Sequence, residues 1–142
     1  MKKIILAFGV IGGAVIVFLA YAYLKTGDGA VNSQYAHTVE GRFFTARIAP
    51  ENPDFLRNTL HAWIASISTK DGAPVKNATM TISGGMPAHG HGLPTAPQVT
   101  ENFGDGRYRI DGVQFNMAGK WELKLTVTAG DASETVTFNL SF

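Results

Sequence analysis

Residues 120–142 read KWELKLTVTAGDASETVTFNLSF. Trp121, Leu123, Leu125 and Val127 alternate with Lys120, Glu122, Lys124 and Thr126. Val136, Phe138, Leu140 and Phe142 repeat the alternation against Thr135, Thr137, Asn139 and Ser141. Successive side chains of a strand point to opposite faces, so each run is a strand with one apolar and one solvated side. Gly130-Asp131-Ala132-Ser133 between them supplies a short hairpin turn.

The same period continues upstream. Ala78, Met80 and Ile82 alternate with Asn77, Thr79 and Thr81, and Lys70-Asp71-Gly72-Ala73-Pro74 makes the turn before them. Residues 42–49, 60–68 and 107–117 complete the expected strands. Six or seven short, one-sided strands predict an all-β fold: an immunoglobulin-like antiparallel β-sandwich. Gly104-Asp105-Gly106-Arg107-Tyr108 resembles the tyrosine corner of such domains, in which a hydroxyl ties back to backbone. The alternative is a hairpin turn followed by an ordinary core tyrosine.

At the amino terminus the pattern changes. Residues 4–24, IILAFGVIGGAVIVFLAYAYL, carry no charge, and as a helix they would span roughly 30 Å, the thickness of a bilayer core. Two readings compete. Ala20-Tyr21-Ala22 fits a signal-peptidase site, whereas the length of the run and the aromatics Phe18, Tyr21 and Tyr23 suit an uncleaved anchor with an interface belt. Either way Lys2 and Lys3 stay cytoplasmic and everything after Lys25 is exported. For a bacterial chain this predicts a single pass of the cell inner membrane, with the carboxy-terminal domain in the periplasm. The expected organisation is residues 1–25 as transmembrane anchor or signal segment, 26–40 as linker and 41–142 as the exported sandwich.

Charge divides along the same boundary. The net charge of +1 hides a leader with three lysines and no acid, followed by a remainder in which acids outnumber bases by two. No clustered basic face is present, so nucleic acid is not an expected partner. There is no cysteine, which removes disulfides, thiolate metal sites and cysteine nucleophiles together.

Between Ser83 and Val99 the strand pattern stops, and residues 84–97 read GGMPAHGHGLPTAP. Four glycines and three prolines predict neither regular strand nor helix. Met86, His89 and His91 lie within six residues. Imidazole and thioether are borderline and soft donors, and thioether favours copper, Cu(I) above all. In an extended segment the two histidines would turn to one side, and Met86 could fold back across the Pro87 turn as a third donor. No acid lies between Asp71 and Glu101, which argues against calcium or magnesium. The competing reading is a flexible polar loop with exposed histidines and a methionine tucked beneath it. His61, opposite Leu60 and Ala62, and Met117, before the Ala118-Gly119 turn, are further candidate ligands; each could equally serve packing or local hydrogen bonding.

The stretch from His61-Ala62-Trp63 through Asp71-Gly72-Ala73-Pro74-Val75 to the loop Met86-Pro87-Ala88-His89-Gly90-His91-Gly92-Leu93-Pro94-Thr95 resembles the FixH-like/YtkA-like family. The resemblance continues through Gly112-Val113-Gln114-Phe115-Asn116-Met117 and Gly119-Lys120-Trp121-Glu122-Leu123. It implies a small exported or anchored immunoglobulin-like domain linked to copper handling or respiratory oxidase assembly. In it, Met86, His89 and His91 occupy the loop motif, and His61 and Met117 the flanking positions.

The expected function is therefore a membrane-anchored periplasmic copper-binding protein, passing copper to an accepting protein by ligand exchange. The alternative is an accessory subunit of a larger membrane protein complex, with Gly9, Gly12 and Gly13 as a packing stripe on its helix. An enzyme is not expected: no nucleophile elbow or paired carboxylates stand out.

Overall fold

The structure, a computed structural model, describes residues 34–54 and 57–142. Nine strands form two antiparallel sheets: β1 (His37–Glu40), β2 (Phe44–Pro50), β3 (His61–Thr69), β4 (Thr79–Met86), β5 (His91–Gly92), β6 (Gln98–Asn102), β7 (Arg107–Val113), β8 (Lys120–Ala129) and β9 (Ala132–Ser141). One sheet runs β1-β2-β3-β7-β6 and the other β5-β4-β8-β9. A single 3-10 turn, Pro87–His89, interrupts them among the described residues. The all-β, sandwich-like fold expected from the alternation is what the chain adopts.

The β8–β9 hairpin shows how the pattern becomes a core. Trp121 pairs with Leu140, Leu123 with Phe138 and Leu125 with Val136, all buried and all on one face. On the other face the hydroxyls of Thr126 and Thr135 meet at 2.7 Å and those of Thr128 and Ser133 at 2.8 Å. Pairing extends to Ala129↔Ala132, so the turn tightens to Gly130-Asp131, with Gly130 at a φ of 58°. From the facing sheet, Ile48, Trp63, Ala65, Ile67, Tyr108 and Ile110 complete the core. Burial of such apolar side chains, at about 1.5–3 kcal/mol each, is the main force holding the two sheets together.

The tyrosine corner is present. The Tyr108 hydroxyl donates to the Val75 carbonyl at 2.6 Å and accepts from the Ala78 N–H at 2.9 Å. It thereby ties the segment leading into β4 to the opposite sheet.

Three expectations need correction. His37–Glu40, read as part of the linker, forms β1 and pairs with Thr45–Ile48. The expected strand over 107–117 ends at Val113, and the following loop carries the buried Phe115 and the exposed Met117. Strand β4 does not stop at Ser83 but runs through Gly84 and Gly85 to Met86. A Cβ at Gly84 would lie 2.1 Å from the Glu122 carbonyl oxygen, and one at Gly85 would lie 2.3 Å from that of His91. These glycines admit close neighbouring backbone within a sheet and do not break the strand.

No helix among the described residues is long and apolar enough to cross a membrane. The expected anchor over residues 1–25 and the start of the expected linker lie outside the described residues.

Candidate metal centre

The central loop is more ordered than its composition suggests. Pro87–His89 turns as a 3-10 helix, closed by a 3.2 Å bond from the Gly90 N–H to the Pro87 carbonyl. Gly90 then takes a left-handed φ of 68°, which reverses the chain into β5. There Gly92 pairs with Gly85 and His91 with Met86. The rings of His89 and His91 end 5.9 Å apart, inclined by 36°. The two imidazoles are thus brought together by a tight turn and a left-handed glycine, not by alternation along an extended segment.

Directly paired residues of an antiparallel ladder carry their side chains on the same face. Met86 and His91 form such a pair, but at different depths. His91 is exposed, whereas Met86 is 1% exposed and belongs to the core. The Met86 methyl lies 2.9 Å from where a Cβ of Gly119 would sit, so the missing side chain at Gly119 makes room for it. Gly119 is itself fixed by backbone bonds in both directions with Phe142, at 2.9 and 3.1 Å. Met86 therefore does not fold back over the Pro87 turn. It is buried on the ladder face that it shares with His91.

Trp121 completes this end of the sandwich. Its indole lies 6.4 Å from the His91 ring at 67° and 5.2 Å from Phe115 at 69°. Its N–H donates to the Met117 carbonyl at 3.1 Å. Met117 thus meets the cluster through its backbone, while its side chain is 39% exposed. His61 reaches the same aromatic group from the other sheet, 5.5 Å from Phe115. Its Nδ1 accepts a 2.8 Å hydrogen bond from the Trp63 indole N–H, and burial pushes its pKa down to about 4.

The five candidate residues therefore separate. His89, His91 and Met86 converge at the β4–β5 turn, whereas His61 and Met117 border the aromatic cluster behind it. Trp121 and Phe115 were missed as parts of this region. The alternation marked Trp121 as inward-facing, but only the pairing of β4 with β8 sets it beside the loop. Among the described residues no three His, Asp or Glu side chains group as a metal site would need. A site here must draw on the two imidazoles and the thioether.

The outer side of the loop faces charge. Glu122 and Lys124 form a 2.9 Å ion pair and line a cleft of about 340 Å³ together with Met86, His91 and the backbone of Gly84 and Gly85. A second cleft, about 450 Å³, is lined by Pro87, Ala88, Trp121, Leu140 and their neighbours. A third, about 630 Å³, lies at the other sheet beside His61, Glu51, Arg109 and Asp111. Arg109 is held there by both carboxylates, at 2.9 Å each.

The family model described as YtkA-like matches residues 45–126, more than half of the chain. The crystal structure of a DUF4426 family protein from Pseudomonas aeruginosa PAO1 is similar in fold, with a TM-score of 0.56 at 18% identity. The likeness covers 75% of this chain and 96% of that one. No curated protein matches the chain.

Proposed function

The chain belongs to the YtkA-like family, and we propose that it is a membrane-anchored periplasmic copper-binding protein. In this reading it serves copper handling or respiratory oxidase assembly, carrying an immunoglobulin-like domain on its amino-terminal helix. The observation that carries the proposal is the convergence at the β4–β5 turn. Two imidazoles stand 5.9 Å apart, and the thioether of Met86 lies on the same face of the ladder as His91. Two imidazoles and a thioether, with no carboxylate in the loop, suit copper better than hard cations.

His89 and His91 would hold the ion from the solvent side and Met86 from below, with Met117 available at the rim. Bound copper supplies a soft cation that leaves by ligand exchange, and the exposed histidines allow an acceptor to approach. The protein acts as a carrier, not as an enzyme.

Copper titration of the full chain in detergent tests the reading. Near one equivalent should bind, and His89→Ala/His91→Ala should lose it. Met86→Leu preserves packing volume at a cost below about 1.5 kcal/mol while removing the sulfur, so its copper affinity should fall with the fold intact. Absence of binding, or equal binding by the double variant, refutes the proposal.

The cleft lined by Pro87, Ala88, Trp121 and Leu140 favours a second reading, an accessory subunit whose loop contacts a larger membrane complex. Migration of the protein alone after gentle solubilisation would remove it.

A further inference from the structure

The geometry points to the outer edge of β9 as the surface through which two copies of this chain pair, strand against strand, independently of copper. β9 stands at the end of its sheet and pairs with β8 alone among the described residues. Phe142, just beyond it, exchanges both backbone bonds with Gly119, at 2.9 and 3.1 Å. Hydrogen-bonded and non-hydrogen-bonded pairs alternate along an antiparallel ladder. This ladder runs without a register shift from Lys120↔Ser141 to Ala129↔Ala132. The even-numbered residues of β9 therefore bond β8, while the N–H and C=O groups of Ser133, Thr135, Thr137, Asn139 and Ser141 point away from it, along the edge.

The other three sheet edges are blunted. β1 has four residues and β5 two, while β6 has five with a register shift between Val99 and Glu101. Short, interrupted or charged strands resist edge-to-edge pairing. β9 has ten residues, no proline and no lysine, and its one charged residue is Glu134. That carboxylate is occupied within its own chain by the N–H groups of Arg42, Phe43 and Phe44. β1 meets this end of the sandwich from the facing sheet, where Tyr35 stacks on Phe142 at 5.2 Å, and its ladder partner is β2.

The strand fits a second copy of itself. An antiparallel pair centred on Thr137 sets Thr137 against Thr137 of the second copy, Thr135 against Asn139 and Ser133 against Ser141. All five outward residues then find partners, giving about ten hydrogen bonds between the chains. No like charges stand opposite one another, and hydroxyl and amide side chains pair favourably across strands. The Thr126–Thr135 and Thr128–Ser133 contacts already make such matches within the chain. The arrangement is two-fold and closed, so association stops at a dimer. The two four-stranded sheets become one, with the histidine loops at its far margins.

The test is light scattering of the full chain in detergent over a range of concentrations, together with cross-linking. The native chain should show a concentration-dependent dimer. Thr137→Pro removes an outward N–H and leaves the β8 bonds in place, so it should weaken the dimer at least about 10-fold. Thr137→Lys sets two ammonium groups opposite each other and should weaken it by less. The chain has no cysteine, so single cysteines report the register. A short bismaleimide should join two copies of Thr137→Cys but not of Ser83→Cys, on the far strand β4 of the same sheet. Tryptophan emission reports the fold of each variant.

A native chain that stays monomeric overturns the proposal. So does a dimer that Thr137→Lys leaves unchanged and that fails to cross-link through Thr137→Cys, since the contact then lies elsewhere. Slow amide exchange at Thr135, Thr137 and Asn139 in a monomer would show the edge covered by the chain's own segments, which also overturns it. Should Thr137→Pro not fold, Thr137→Lys and the cross-linking decide. None of these outcomes bears on copper binding, which the titration above tests separately.

Discussion

The Trp63 indole N–H donates to His61 Nδ1 at 2.8 Å, and the bond requires that nitrogen to be unprotonated. Burial pushes the His61 pKa down to about 4, while the unfolded chain titrates near 6.5. Between those values the unfolded state binds more protons, so stability rises with pH through that window and is lost as pH falls toward 4. Discounted for partial exposure, the contribution is on the order of 2 kcal/mol. Urea unfolding at pH 7 and pH 4.5 should show this loss, and His61→Phe should reduce the difference. An unchanged difference in that variant would remove His61 as its source.

Tyr108 bridges Val75 and Ala78 through one hydroxyl. Tyr108→Phe keeps the ring in the core but leaves a carbonyl and an N–H without their partner. The expected cost is about 2–3 kcal/mol. Denaturant unfolding should show a lower midpoint at an unchanged slope.

The Glu134 carboxylate accepts backbone N–H bonds from Arg42, Phe43 and Phe44, at 2.6, 2.9 and 2.7 Å. Burial raises its pKa, but these donors, together with Lys70, outweigh that effect and hold it below the usual value. A depressed folded pKa stabilises above the unfolded value and loses that stabilisation as pH falls through the folded one. Glu134→Gln should therefore weaken the protein at neutral pH, by about 1 kcal/mol after solvent screening, and flatten its response to acid. Thermal melts between pH 3 and 7 measure both effects.

Gly84→Ala places a methyl 2.1 Å from the Glu122 carbonyl oxygen, and Gly85→Ala one 2.3 Å from that of His91. Neither backbone can withdraw without breaking the ladder. Each substitution should cost at least about 2 kcal/mol and loosen the β4–β5 turn. Faster amide exchange at Leu93, whose N–H bonds the Gly84 carbonyl at 3.1 Å, is the local signature.

Alternation in 120–142 was enough to read the hairpin, its inward residues and the all-β class, because strand side chains obey a local period of two. Tyr108 was legible for a related reason: its turn and its ring lie within five residues. His89 and His91 were legible as donors, since residue type is local information. Their geometry was not. Sequence reasoning took Gly84 and Gly85 for breakers because the same residue serves turns and close backbone approach. Only the Glu122 and His91 carbonyls beside them decide which. Met86 was legible as a donor, but its depth was not: Gly119, thirty-three positions away, leaves a slot in the core for its methyl. Trp121 reached His91 only once β4 had paired with both β8 and β5. Periodicity determines which face a residue takes, while long-range strand pairing determines what stands beside it.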